Sequence, residues 1–145
     1  MLKIYHSHPM ELGDGTGTLM GSGARAFDVK AKLPEFEHWI PEENQARDHR
    51  NQQKIDLDAL EICDIILVDL YHYKLDVNGH LMMGKGTNQE IGFIKFKNRM
   101  FAKKVPIIQI IRQTKKFHCF DVGEGVINVN SIQEAIDYIK ENLSE

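Results

Sequence analysis

The sequence predicts an α/β protein built on a doubly wound, mostly parallel five-stranded sheet with helices on both faces. Two observations carry this. "DIILVDL" (64–70) and "VPIIQII" (105–111) are short unbroken apolar runs, the pattern of strands buried on both faces of a parallel sheet. Strand-like and helix-like segments also alternate along the chain, as crossovers between parallel strands require.

The elements follow in order. "LKIYH" (2–6) alternates and then breaks at "SHP", which makes a first strand. "ELGDGTGTLMGSG" (11–23) is a glycine-rich loop, with regular structure resuming on both sides. "ARAFDVKAKL" (24–33) suits a helix stopped before Pro34. In "EFEHWIP" (35–41), Phe36, His38 and Ile40 alternate against the rest as a second strand. "EENQARDHRNQQK" (42–54) holds no aliphatic residue larger than Ala46. An apolar face appears only from Ile55 through Leu60 and Ile62, so the next helix has a polar first half. After the strand at 64–70 comes a polar loop, then a helix expected from Asn88 towards Ala102 and ended by Lys103 and Lys104. "INVNSIQEAIDYIKENL" (127–143) closes with a strand end and a helix whose Ile132, Ala135, Ile136, Ile139 and Leu143 share one face. The chain contains no internal repeat. Its 145 residues suit one domain, 1–145, large enough to bury roughly 70% of the unfolded surface.

Composition narrows the function. A net charge of -3 argues against a general grip on a nucleic acid polymer, which needs clustered excess Lys and Arg. The basic groups at Lys95, Lys97, Arg99, Lys103 and Lys104 suit a solvated face or a helix C-terminus. Cys63 and Cys119 lack a C-x-x-C pattern and read as reduced core residues. "MLKIYHSHPM" is too short and polar for a secretory signal, and no apolar run approaches membrane-spanning length. A cytoplasmic protein without membrane contact is expected. His6 and His8 lack a helical H-x-x-x-H pair or matching acidic cluster. No metal site or cofactor is expected, and these histidines are assigned to the surface or loops. Trp39 is assigned to packing at a strand end, with base stacking as the alternative.

Three motifs compete around glycines. "GHLMMGKG" (79–86) spaces Gly79, Gly84 and Lys85 as a P-loop does, but Gly86 stands where the magnesium-binding hydroxyl belongs. "GSGARA" (21–26) matches a dinucleotide fingerprint without a strand running into its first glycine, so chance explains it. Thr87-x-x-Glu90 is a capping box, repeated at Ser131-x-x-Glu134. Glu90 therefore has two readings, a helix cap or a reactive carboxylate.

Four fragments in order resemble the nucleoside 2-deoxyribosyltransferase family over residues 2 to about 111. "KIYHS" is similar to its first strand, which implies an active-site tyrosine at Tyr5. "WIPEENQ" resembles the exit of its second strand, which implies substrate binding by Gln45. "DLDALEICDIILVDL" carries an aspartate eight residues before a second one that opens a strand, which implies an active-site Asp56. "GTNQEIGFIKF" with "KKVPII" resembles the helix entry whose glutamate is the nucleophile, which implies that role for Glu90. The resemblance also departs from this chain. The family's base-handling aspartate falls on Gly84, so Asp69 or Asp76 is the candidate replacement. An asparagine normally donated by a neighbouring subunit aligns with Gly125, leaving Asn128 and Asn130 close by. Candidate substrate-binding residues are thus Gln45, Gly86, Asp69, Asp76 and Asn128. The loop from Gly13 to Gly23, with Ser22 and Arg25, is where related nucleotide hydrolases hold a 5'-phosphate.

What the resemblance implies is cleavage of a 2'-deoxynucleoside through a deoxyribosyl-glutamate, with transfer to another nucleobase, in a homo-oligomer sharing its active sites. Its partners would be a nucleoside or nucleotide and a free nucleobase. One alternative is hydrolysis of a nucleoside 5'-monophosphate to base and sugar phosphate. The other, from a different class, is a nucleotide-binding module without catalysis.

Overall fold

The structure, a computed structural model, describes residues 1–8, 22–46, 48–73, 76–79, 85–112, 123 and 125–144. The glycine-rich loop up to Gly21, the P-loop-like residues 80–84 and Cys119 lie outside them. Among the described residues the elements run β1 (Lys3–Ser7), α1 (Ser22–Lys32), β2 (Glu37–Trp39), a 3-10 turn (Pro41–Glu43) and α2 (His49–Ile62). Then come β3 (Ile65–Asp69), α3 (Lys85–Met100), β4 (Ile107–Ile110), β5 (Val126–Val129) and α4 (Ile132–Asn142).

The five strands form one sheet in the order β2-β1-β3-β4-β5, and every neighbouring pair is parallel. The chain winds outwards from β1 to β2, then returns to β3 and proceeds the other way. That reversal puts a crevice beyond the carboxyl ends of β1 and β3. Every residue of β3 and β4 is buried, because helices cover both faces. On one face Ile4, Leu67 and Ile108 pack with Val29 of α1 and Ile136 of α4. On the other, Tyr5, Ile66, Val68 and Ile107 pack with Leu60 of α2 and Ile91 and Ile94 of α3. The period of two along each strand separates these sets.

Helix ends follow local chemistry. Asp48 caps α2 by accepting the Asn51 amide at 2.8 Å. Ser131 caps α4, accepting the Glu134 amide at 3.1 Å, while the Glu134 carboxylate accepts the Asn130 amide at 2.8 Å. This box forms with the glutamate reaching one residue further than the usual pattern. The helix α3 begins at Lys85, three residues before the expected start at Asn88. Thr87 is therefore inside its first turn, not at its cap. At the far end, the Lys104 ammonium donates to the carbonyls of Asn98 and Phe101, the helix C-terminal role expected of the basic cluster.

Asn98 closes the turn from α3 into β4. Its Nδ2 donates to the Val105 carbonyl at 2.8 Å and its Oδ1 accepts the Val105 amide at 2.7 Å, all buried. Asn98→Ala strands both backbone groups and should cost about 2–3 kcal/mol. Urea unfolding followed by circular dichroism will show a lower midpoint with an unchanged slope.

Candidate active site

Alternation along β1 sorts its polar residues. Tyr5 points to the α2–α3 face and His6 to the α1 face; Ser7 returns to the side of Tyr5. His6 and His8 are 2% and 6% exposed, so their assignment to the surface is corrected. They are buried because distant residues supply partners. His38 Nε2 donates to the Leu33 carbonyl at 2.8 Å, which leaves its Nδ1 to accept from His6 Nε2 at 2.9 Å. Burial and then the neighbouring His38 hold His6 well below the ordinary imidazole range, so the pair is neutral. His8 Nε2 meets the Glu42 carboxylate at 2.7 Å.

Glu90 lies on the second turn of α3 and does not cap it. Its Oε1 accepts from the Ser7 hydroxyl at 3.1 Å, and the Tyr5 phenol also donates to the carboxylate. Thr87 is spoken for elsewhere, its hydroxyl 3.0 Å from the Tyr73 phenol. The capping-box reading of Thr87 and Glu90 is thus replaced by a carboxylate aimed across the sheet edge at β1. Tyr5 is fixed by Trp39, whose ring stacks on it with centroids 4.8 Å apart and planes 8° apart. Register explains the pairing, since Tyr5 and Trp39 are partners across the β1–β2 ladder. Burial, and then the adjacent Glu90 charge, push the Tyr5 phenol far up. It is a permanent donor.

The Glu90 carboxyl rises from 4.5 to about 7. Burial is the main cause; hydrogen bonds from Tyr5 and Ser7 oppose it, the Asp56 charge adds to it, and His8 opposes it. Asp56 is also raised, by burial, against a hydrogen bond from Gln52. Between these two acids lies a cavity of about 320 Å3, walled by Gln53, Asp56 and Leu57 of α2 and by Gly86, Gln89 and Glu90 of α3. A Cβ at Gly86 would meet no other atom within 4 Å, so this glycine keeps the cavity wide and is not required by packing. Gln52 stiffens the wall. Its Oε1 accepts the Ala46 amide at 2.7 Å, and its Nε2 donates to the Asn44 carbonyl at 3.2 Å and to Asp56 Oδ1 at 2.9 Å.

Glu90, Asp56, Tyr5 and Gly86 therefore come together. The other expected residues do not join the cavity wall. Gln45 is exposed, on the segment that Gln52 ties to α2. Asp69 faces the opposite side of the sheet, where Arg25 Nε donates to it at 2.6 Å and the Tyr71 amide at 3.1 Å. The same Arg25 lies 4.6 Å from the Tyr71 ring centre. A residue expected near phosphate is thus engaged by a carboxylate. Asp76 accepts the Asn78 amide at 2.8 Å, and its carbonyl accepts the Gly79 amide at 3.0 Å, a turn that Gly79 completes at a φ of 82°. Asn128 sits on β5 and accepts from Gln109 Nε2 at 2.8 Å. Gly125 has a φ of 75°, which favours glycine there.

Sequence reading passed over Ser7, Gln52, Gln53 and Gln89. Two of them obey simple spacing. Ser7 is two residues from Tyr5 on a strand, and Gln52 is four residues from Asp56 on a helix. Among the described residues no group of three or more His, Cys, Asp or Glu side chains is arranged to hold a metal ion. No helix among them is long and apolar enough to cross a membrane.

No protein-family model matches the chain, and no curated protein matches it in sequence. In structure it is similar to a 2-deoxyribosyltransferase from Leishmania mexicana, with a TM-score of 0.72 and 17% identity over 99% of this chain and 100% of that one. A conserved protein from Enterococcus faecalis V583 gives 0.71 and 17%, covering 99% of each. A CMP N-glycosidase from Clostridium botulinum gives 0.60 and 17%, over 97% and 99%. At these identities the likeness is one of fold, and the chain has the α/β doubly wound fold of the deoxyribosyltransferase-like proteins.

Proposed function

We propose that the protein breaks the N-glycosidic bond of a 2'-deoxynucleoside, with Glu90 as nucleophile, and passes the sugar to another nucleobase. The observation that supports this best is a mostly buried carboxylate, held by two hydroxyl donors, facing an open cavity with a second carboxylate in its wall. An N-glycosidic bond breaks through an oxocarbenium-like transition state, which a fixed anion stabilises and then traps as a glycosyl ester. Tyr5 steadies that anion. Asp56, with its raised carboxyl, suits relaying a proton from solvent to the departing base. A second base attacking the ester gives exchange with retention.

Hydrolysis is the second reading, and the likeness to a CMP N-glycosidase favours it. In that case water resolves the ester and a nucleoside 5'-monophosphate is the substrate. The Arg25–Asp69 ion pair weighs against Arg25 as a phosphate ligand. One incubation separates the readings: the protein with each natural 2'-deoxynucleoside or its 5'-monophosphate and a different free base, products resolved by chromatography. A new nucleoside marks transfer, and free deoxyribose or its phosphate marks hydrolysis. Binding without any product, unchanged in Glu90→Gln, would instead mark a nucleotide-binding module.

A further inference from the structure

We propose that Ser7 is a positioning residue for the nucleophile: its hydroxyl holds Oε1 of Glu90 so that Oε2 is the oxygen presented to the anomeric carbon. This rests on Glu90 being the nucleophile. Ser7 is 1% exposed, and its backbone is set by pairing with Val68 of β3. A serine has one side-chain torsion, so a hydroxyl on a buried strand costs little entropy to aim. Its 3.1 Å contact with Oε1 occupies lone-pair density there and leaves the other oxygen the better nucleophile.

The bonding change suits this arrangement. As the Oε2–C1' bond forms, the C1'–N bond breaks and its electron pair leaves with the base. Oε1 becomes the carbonyl oxygen of the ester and still accepts from Ser7, so the contact survives the step. When the second base or water attacks C1', the C1'–Oε2 bond breaks and its pair returns to the carboxylate. Ser7 then steadies the regenerated anion.

Four groups act on the charge of Glu90. From β1 come the Tyr5 phenol and the Ser7 hydroxyl, and from α2 the Asp56 carboxyl. The His8 imidazole, turned to the other side of the sheet against Glu42, acts on Glu90 only through its charge at longer range. Asp56 favours the protonated form of Glu90 and the other three oppose it. Ser7 carries no charge of its own, so its removal changes donation alone.

The test uses the full chain with Ser7→Ala and Ser7→Thr. In protein carrying carboxyl-13C glutamate, NMR follows the titration of Glu90, its signal identified by loss in Glu90→Gln. In Ser7→Ala the midpoint should rise by about one pH unit, the loss of one hydrogen bond to an anion, and Ser7→Thr should restore it. With the panel of natural 2'-deoxynucleosides and their 5'-monophosphates, kcat at pH 6 should fall about tenfold in Ser7→Ala, with less loss at pH 8.5 and KM little changed. An unmoved midpoint overturns the proposal, even if Ser7→Ala is less stable, because the contact would then be structural only. Full turnover by Glu90→Gln would sink the nucleophile reading and this proposal with it. A dead Glu90→Gln beside a wild-type pH profile in Ser7→Ala sinks the Ser7 role alone.

Discussion

Glu90→Gln lowers turnover by about 10^4-fold or more, and above pH 7 it leaves a protein more stable than the parent. Both outcomes come from one side chain. The amide keeps the shape and an acceptor for Ser7 and Tyr5, so the surroundings are retained, but it cannot trap an oxocarbenium centre as an ester. The stability gain has a definite sign. In the folded protein Glu90 titrates near 7 against an ordinary value of 4.5, so the folded state binds this proton more tightly than the unfolded chain. Its favourable contribution is fully present below pH 4.5 and is lost as pH rises through about 7. At pH 8.5 the parent therefore holds a disfavoured anion, a full effect of about 3 kcal/mol. The amide's own burial takes back part of this, leaving an expected gain of about 2 kcal/mol. Urea unfolding at pH 8.5 and at 4.5 checks it. The variant should be the more stable by about 2 kcal/mol at the first and the less stable by about 1 kcal/mol at the second, where only the cost of the buried amide remains. A glutamate that merely capped a helix would give the reverse, a loss of about 1 kcal/mol at pH 8.5 with activity kept.

The sequence carried the fold more fully than the site, for physical reasons that differ by residue. A strand covered by helices on both faces must be apolar throughout, so β3 and β4 announced themselves. Glu90 was harder to read because Thr87-x-x-Glu90 copies a capping box, and only tertiary contacts divert Thr87 to Tyr73 and Glu90 to Ser7. His6 and His8 look like surface residues until His38 and Glu42, more than thirty positions away, provide their partners. Asp69, a candidate replacement for the base-handling aspartate that falls on Gly84, turns away from the reactive carboxylate. The same alternation that buries Leu67 against α1 and α4 carries Asp69 to that face as well. Ser7 follows from the identical rule applied to Tyr5.

Asp56→Asn should reduce turnover by about 10^2-fold to 10^3-fold while moving the acidic limb of the pH profile downwards. The two effects have separate origins. Asparagine cannot relay a proton from solvent to the departing base, and proton-transfer help of this kind is worth about 10^2 to 10^4 in rate. Asp56 is also the one negative charge that lifts Glu90, after burial. Neutralising it favours the ionised glutamate, so the fraction of enzyme with a competent nucleophile grows at lower pH. The limb centred near 7 in the parent should therefore move below 7, opposite in direction to Ser7→Ala. Substrates whose leaving base needs no proton should lose least, which makes an activated nitrophenyl 2-deoxyriboside a useful control. With it, Asp56→Asn should keep most of its rate and show the shifted limb alone. A limb that stays in place would mean that the two carboxyl groups do not sense each other across the cavity. An equal loss on both kinds of substrate would remove Asp56 from acid catalysis and leave it a binding residue for the sugar.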